Sequence, residues 1–430
     1  MNETITGLLG VVFLVGLILL KMPVGFAMAI VGVAGFVVIN GSFYSALNLA
    51  VVDIINVFSS YSLTVIPLFI LMGQIAYYSG MSEKLFKSAY KVLGHFSGGL
   101  IIAFISACAA FSAICGSGPA TAATMASVGF PEMRRYGCKT GFAAGVIAAG
   151  GSLGVLIPPS VVLIVYGVLT EQSIGKLFIA SIIPGLLMTT LFILTVIICC
   201  KLDASLCPLS SSTATFRDIL SSIARLGEVV IIFGIIMGGL FMGIFTPTES
   251  AAVGALGVII ITKIKRSLTI ANFKKALVDT AKLSCMIFVI VAGATVFGHF
   301  MAVTRLSFNL ANWLIDFGGP SWLAMSIIIV IFLIGGCFID SLALIMLTVP
   351  VFFSVVVQLG YDPIWFGVII AIITQIGLIS PPVGLSVFIV SSISGVPPLN
   401  IFRGVIPLLI AMIVGIIILM TFPNISLIFV

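Results

Sequence analysis

Apolar runs of about 17 to 25 residues follow one another along the chain from Ile5 onward, parted only by short polar or Gly/Pro-bearing turns. Hydrocarbon offers no partner to a free backbone N–H or C=O, so a chain built this way folds as a bundle of helices. Composition agrees: 61% of the residues are hydrophobic, 7% are charged and the mean hydropathy is +1.36. That lies far from the usual range of soluble domains. The reading is an all-α polytopic membrane protein. The first run, Ile5 to Leu20, lacks a basic leader segment and reads as a retained helix, not a cleaved signal. The longest polar stretch, LDASLCPLSSSTATFRD from Leu202 to Asp218, is too short to fold alone and reads as a linker between two halves. Most of the eight cysteines sit inside apolar runs and read as small buried hydrophobes, not as a disulfide framework. The formal charge of +6 is no nucleic-acid signal, because the basic residues flank the apolar runs as orientation signals do.

With Lys84, Lys87 and Lys91 placed in the cytoplasm, 17 of the 19 basic residues fall inside, and only Lys176 and Arg305 fall outside. Both chain ends are then periplasmic in a bacterial inner membrane. This count requires Gly98 to Pro131 to begin and end on the cytoplasmic side, since Lys91 precedes it and Arg134, Arg135 and Lys139 follow. It must be a hairpin. Its limbs are roughly 17 residues before GSGP and about 13 after, and the second reaches only about 20 Å into a core of about 30 Å. The hairpin is therefore re-entrant, with CGSGP, Cys115 to Pro119, at a buried tip.

A displacement of 223 residues lays GVLIPPS, Gly154 to Ser160, on GLISPPV, Gly377 to Val383. Gly137 meets Gly360, Phe142 meets Trp365, and the hairpin tip lands on CFIDSLAL, Cys337 to Leu344. The chain reads as an internal repeat of five crossings and one hairpin per half, an odd count that inverts the second half. The second hairpin, about Ser321 to Val357, opens outward between Asp316 and Asp362. After each hairpin comes a segment too long and too Gly/Pro-rich for one straight helix, Lys139 to Thr170 and Pro363 to Ser394. Breaks at membrane depth bind something or line a polar cavity, and paired broken segments are the pattern of secondary transporters.

The first set of candidate ligands, Gly116, Ser117, Gly150, Gly151 and Ser152, supplies carbonyls and hydroxyls for a hard cation such as Na+. The second set is Gly336, Asp340, Ser341, Thr374, Gln375 and Gly377, with Asp340 adding a charge. Helix N-termini at Pro119, Ser341, Pro159 and Pro382 favour an anionic substrate group near Ser117, Ser152 and Ser341. Against this stands the plainer reading of Gly, Ser and Thr as close-packing residues. Asp340, an acid in a hairpin core, reads as functional, with a helix cap as the alternative. Glu249 in FTPTES reads equally as a helix cap. Asp53 and Glu171 read as interfacial, and Arg403 and Arg305 as lipid or loop contacts. A rival class is an intramembrane serine hydrolase, because GGSLG, Gly150 to Gly154, matches GxSxG. It lacks a base: His95 lies in a cytoplasmic loop and His299 near the outer end of another span. A channel would share the hydroxyls, but duplicated hairpins argue for alternating access.

PLFILMG (Pro67 to Gly73), GFAAGVIAAGGSLGVLIPPS (Gly141 to Ser160), GIFTPTESAAVGA (Gly243 to Ala255) and GLISPPVG (Gly377 to Gly384) resemble the large permease subunit of TRAP transporters, the tripartite ATP-independent periplasmic uptake systems. The resemblance spans nearly the whole chain. It implies an elevator: scaffold helices in 1–96 and 226–319, a cytoplasmic linker at 202–225, and a transport domain in 97–201 and 320–430. It further implies Na+ as coupling ion, no ATP, an organic acid such as a dicarboxylate or sialic acid as cargo, a periplasmic substrate-binding protein and a small four-helix membrane subunit as partners. A stand-alone sodium/carboxylate symporter of similar architecture is the alternative. The first tip departs from the family's usual SGSS: Cys115, Gly116, Ser117 and Gly118 stand there, so a hydroxyl is missing at Gly118.

Overall fold

The computed structural model of the chain describes residues 3–94, 98–203, 205–207, 216–306, 308–309, 312 and 320–430, with backbone alone for 216–226. His95, Asp316 and residues 208–215 of the expected linker lie outside the described residues, as do the side chains of Arg217 and Arg225. Every described element is a helix, and there is no strand among the described residues. In chain order they are α1 (Glu3–Leu19), α2 (Val24–Asn40), α3 (Phe43–Ser59), α4 (Val65–Tyr78, entered through a 3-10 turn at Tyr61–Thr64), α5 (Met81–Leu93), α6 (Gly99–Cys115), α7 (Gly118–Arg135), α8 (Thr140–Leu156), α9 (Val161–Thr170) and α10 (Ile174–Leu202). Then follow α11 (Phe216–Phe241), α12 (Pro247–Ile264), α13 (Ile270–Thr304), α14 (Ser321–Gly336), α15 (Ser341–Gln358), α16 (Pro363–Ile379), α17 (Leu385–Ser394), α18 (Pro398–Thr421) and α19 (Asn424–Leu427).

Among the described residues, six helical segments are long and apolar enough to cross a membrane, or seven if α8 and α9, bent by 40° at their break, count as one span. Other expected crossings fall on apolar helices of 10–17 residues, α1 and α2 among them. The helix bounds follow the displacement of 223: α7 and α15 are both 18 residues long, and α8 and α16 are both 17. The first hairpin corrects one expectation. Its second limb does not stop near Pro131 but runs through it to Arg135, because the proline sits late in the helix, where the loss of one backbone hydrogen bond is tolerated. At 18 residues that limb is about 27 Å long, but its last four residues, Glu132 to Arg135, are mostly charged, and the apolar part before Pro131 is about 20 Å.

Two groups of helices pack among themselves. In one, α2 lies on α13 and α12 on α4. A Cβ placed at Gly25 would stand 2.7 Å from Val289 O, so α2 and α13 meet backbone to backbone. In the other, α6 to α10 pack with α14 to α18, with α7 against α17 and α15 against α9. Ser42, Ser160, Ser173 and Thr269 cap the N-termini of α3, α9, α10 and α13 through their side chains.

One pair of cysteines departs from the reading of most of them as small buried hydrophobes: Cys138 and Cys207 are bonded across a sequence separation of 69. Cys207 is carried there by the segment after α10, where Lys139 Nζ meets Asp203 at 2.8 Å and Lys139 N donates to Leu206 O at 2.9 Å. Asp53 has a partner that the sequence did not show: it is 4% exposed, and its Oδ2 lies 2.7 Å from His299 Nδ1, joining α3 to the far end of α13.

Candidate functional site

Both hairpin tips come to one cavity of about 290 Å3. The α6–α7 tip contributes Cys115 to Ala120, the α14–α15 tip Asp340 to Leu342, and the helix starts after the two breaks contribute Val161, Val162 and Leu385. Opposite them stand Ile70, Gly73 and Gln74 of α4 and Leu283, Met286 and Ile287 of α13. Gly73 fits closely there, since a Cβ on it would stand 2.8 Å from Cys115 O. The first residues of α7, α9, α15 and α17, namely Gly118, Val161, Ser341 and Leu385, all line the cavity, so four helix N-termini open onto it. No Lys, Arg or His is among the lining residues. The helix dipoles at these ends favour negative charge in the cavity and the Asp340 carboxylate, which caps α15, opposes it, with no cationic side chain contributing.

Of the residues expected from the sequence, Gly116, Ser117, Pro119, Asp340 and Ser341 line the cavity. Gly116 adopts φ +66, the left-handed turn that closes α6, and its carbonyl accepts from Val161 N at 3.2 Å, tying the tip to the first break. Pro159 contributes to the same joint, its carbonyl 2.6 Å from where a Cβ on Gly116 would lie. Ser117 precedes α7 without capping it through its side chain, so its hydroxyl is free to face a ligand. Asp340 is both cap and cavity wall. Its Oδ1 accepts from Leu342 N at 2.8 Å and Ala343 N at 3.4 Å, while Oδ2 makes no hydrogen bond among the described residues.

The breaks fall later than the glycines suggested. Gly150, Gly151 and Ser152 are inside α8, which unwinds only at Ile157, and Thr374, Gln375 and Gly377 are inside α16, which ends at Ile379. The prolines stop each helix, whereas glycines surrounded by a close-packed bundle stay helical. Gly151 lies against Ala122 and Gly150 against Cys108. Gly336 and Gly377 face each other, a Cβ on Gly377 falling 2.3 Å from Gly336 C. These glycines bring the tips and broken helices into contact. Ser152 points elsewhere: its Oγ donates to Ala149 O at 2.6 Å and lies 4.0 Å from Met412 Sδ. Thr374 likewise donates to Ala371 O at 3.0 Å. Pro382 is exposed, with Pro381 beside it, whereas Pro158 and Pro159 are buried.

Gln375 bridges the two tips. Its Nε2 donates to Ser341 Oγ at 2.8 Å, and its Oε1 faces Gly118, where a Cβ would stand 2.7 Å away. That oxygen is buried without a partner, and so is Thr121 Oγ1. A Cβ on Gly154 would meet Thr121 Oγ1 at 2.5 Å and Ser117 O at 2.8 Å. Buried oxygens without donors and away from any basic group are the kind of ligand a small hard cation takes, although the nearby helix N-termini work against it. Thr121 was missed by the sequence reading. Its only signal was a hydroxyl in the first turn after the tip, where a fully apolar face would pack as well. No cluster of three His, Cys, Asp or Glu that could hold a metal occurs among the described residues. Glu249 turns out to be a cap: with Thr246 it completes a capping box at the start of α12.

The family model for the DctM component of the tripartite ATP-independent periplasmic transporters matches residues 11–425. The chain belongs to that family. The DctM-family chain is 35% identical over 368 residues to the C4-dicarboxylate TRAP transporter large permease protein DctM of Pseudomonas aeruginosa, covering 85% of this chain and 86% of that one. It is 33% identical over 414 residues to the sialic acid TRAP transporter large permease protein SiaM of Vibrio cholerae, covering 96% and 95%. Among solved structures it shares the fold of the YdaH transporter of Alcanivorax borkumensis, with a TM-score of 0.65 at 14% identity over 87% and 88% of the two chains. This DctM component is a multi-pass membrane transport protein and not an enzyme. His299, held by Asp53, offers no base to Ser152.

Proposed function

We propose that this DctM component is the membrane permease of a sodium-coupled importer of an organic acid in a bacterial inner membrane, receiving cargo from a periplasmic binding protein and working with a small membrane subunit. The observation that carries the reading is the cavity onto which four helix N-termini open and that no basic side chain lines. A carboxylate is stabilised there by the helix ends and by a co-bound cation, so that binding of one requires the other. Thr121 Oγ1, Gln375 Oε1, Ser117 and the free oxygen of Asp340 are the donors for that cation. Na+ fits this set because all of it is oxygen. Cargo chemistry follows the relatives, which are named for C4-dicarboxylates, sialic acid and 2,3-diketo-L-gulonate.

The two halves, alike in helix bounds, are proposed to be inverted across the membrane, with α6 to α10 and α14 to α18 moving as one body against α2, α4, α12 and α13. The gap between these groups is where the cavity lies. The test is uptake by proteoliposomes holding this chain, its small subunit and its binding protein, with labelled succinate and N-acetylneuraminate offered in turn. Uptake of one acid that demands an inward sodium gradient and both partners supports the reading. Uptake that ignores sodium, or proceeds with this chain alone, overturns it.

A further inference from the structure

Away from the central cavity, a pocket of about 370 Å3 opens between the starts of α8 and α18, on the face that carries most of the basic residues. Lys139 and Arg403 line it, with Phe142 and Pro407 as apolar walls and Leu206 at one side. Lys139 already meets Asp203, while Arg403 is exposed and has no hydrogen bond or ion pair among the described residues.

The pocket is more positive than its side chains alone make it. A Cβ on Gly404 would fall 2.2 Å from Gly141 O, and one on Gly145 would fall 2.5 Å from Gly404 C. Further along, Ser152 of α8 lies against Met412 of α18, so the two helices run parallel with their N-terminal turns in backbone contact. Neither start is capped by a side chain, and neither first turn holds an acid. Two positive helix ends and the Arg403 guanidinium thus share one small volume with a single carboxylate that Lys139 occupies. An anion relieves that.

The surroundings say which anion. Leu399, Ile406 and Ile410 are 62%, 52% and 54% exposed and stand at helical spacing about Arg403, forming an apolar strip that starts at the pocket and runs up α18. A free phosphate would leave this strip unused, whereas a lipid covers it. We propose that the pocket binds an anionic phospholipid of the inner leaflet, its phosphate between Arg403 and the paired helix ends and its acyl chains along α18.

The test uses the full chain in nanodiscs of mixed phosphatidylcholine and phosphatidylglycerol, extracted into detergent, with retained lipid counted by mass spectrometry. Wild type is expected to keep phosphatidylglycerol over phosphatidylcholine, and millimolar inorganic phosphate should not displace it. Arg403→Gln should lower retention about fivefold, the loss of one basic residue at a charged headgroup. Arg403→Lys should fall between the two. Ile410→Ser, which leaves the charges intact, should also lower retention. Equal retention of both lipids, unchanged retention in Arg403→Gln, or displacement by inorganic phosphate would each overturn the assignment. None of these outcomes depends on the transport reading.

Discussion

The contact between Gly118 and Gln375 sets up a direct test of how the two hairpin tips are joined. In Gly118→Ala, the new Cβ would stand 2.7 Å from Gln375 Oε1 and 3.2 Å from Val155 Cγ2, whereas ordinary contact begins at 3.4 Å. The amide oxygen must retreat by roughly 0.7 Å. It cannot do so freely, because Nε2 of the same amide is held 2.8 Å from Ser341 Oγ and the side chain is 1% exposed. Losing that hydrogen bond costs about 0.5–1.5 kcal/mol net, and up to about 3 if a donor is left buried and unpaired. Replacing Gly by Ala in a helix returns at most about 1 kcal/mol. The net expectation is a loss of about 1–2 kcal/mol. Four proteins measured by chemical denaturation in detergent decide the cause: wild type, Gly118→Ala, Gln375→Ala and the double variant. With the amide gone, Gly118→Ala should cost nothing or stabilise slightly, giving a coupling of about 1–2 kcal/mol. If Gly118→Ala costs the same in both backgrounds, the tips are not joined through Gln375.

Asp340→Asn keeps a residue able to cap α15 but removes the charge, so fold stability should stay within a few tenths of a kcal/mol while the sodium concentration for half-maximal uptake rises on the order of tenfold. Unchanged sodium dependence would limit Asp340 to its capping role. Gly377→Ala forces a Cβ to 2.3 Å from Gly336 C, a backbone atom that cannot step aside. Thermal unfolding should show a loss of about 1–3 kcal/mol or more, and wild-type stability would refute the close packing of α14 on α16. Near the end of α10, the Lys139 ammonium and then the Ser205 groups pull the Asp203 carboxyl down to about 2. A depressed carboxyl stabilises above its unfolded value near 4 and loses that contribution only as pH falls through about 2. Hydrogen exchange at the Lys139 amide, bonded to Leu206 O, should therefore show constant protection between pH 5 and 8 once intrinsic rates are removed.

The features legible in the sequence were those written into the chain locally. Proline pairs ended α8 and α16 where expected, the tip residues from Cys115 to Gly118 and Cys337 to Asp340 parted the hairpin limbs, and the displacement of 223 reproduced whole helices. What the sequence hid was direction. In α8 every position from Phe142 to Leu156 is buried, so no polar face marks which side meets the tip and which meets α18. Ser152 reads as a site residue yet turns to Met412, while Thr121, unremarkable in sequence, turns inward. Partners far apart in the chain were equally out of reach. Nothing near Asp53 in the chain points to His299, 246 residues away, and nothing local to Cys138 announces Cys207.

The cavity meets α4 and α13 at unequal positions along the two helices, and this bears on the proposed motion. On α4 the lining residues are Ile70, Gly73 and Gln74, which the displacement of 223 maps to Gly293, Val296 and Phe297 of α13. The α13 residues found at the cavity are instead Leu283, Met286 and Ile287, about ten positions earlier and roughly 15 Å along the helix. If the halves are related by a two-fold axis in the membrane plane, a transport body centred on that axis would touch equivalent residues on both helices. A mismatch of about 15 Å places it off the axis by half that, roughly 7 Å, toward the end of α13 that carries Lys274, Lys275 and Lys282. On the proposed topology this is the cytoplasmic side, so the arrangement is the inward one. The outward one follows by exchanging the halves: the second tip would rest on Val296 as the first now rests on Gly73, after a total travel of about 15 Å. A cysteine pair at Val296 and Phe338 should then cross-link in a fraction of molecules and hold them outward, and a pair that never cross-links under any sodium gradient would remove the two-fold relation on which the argument stands.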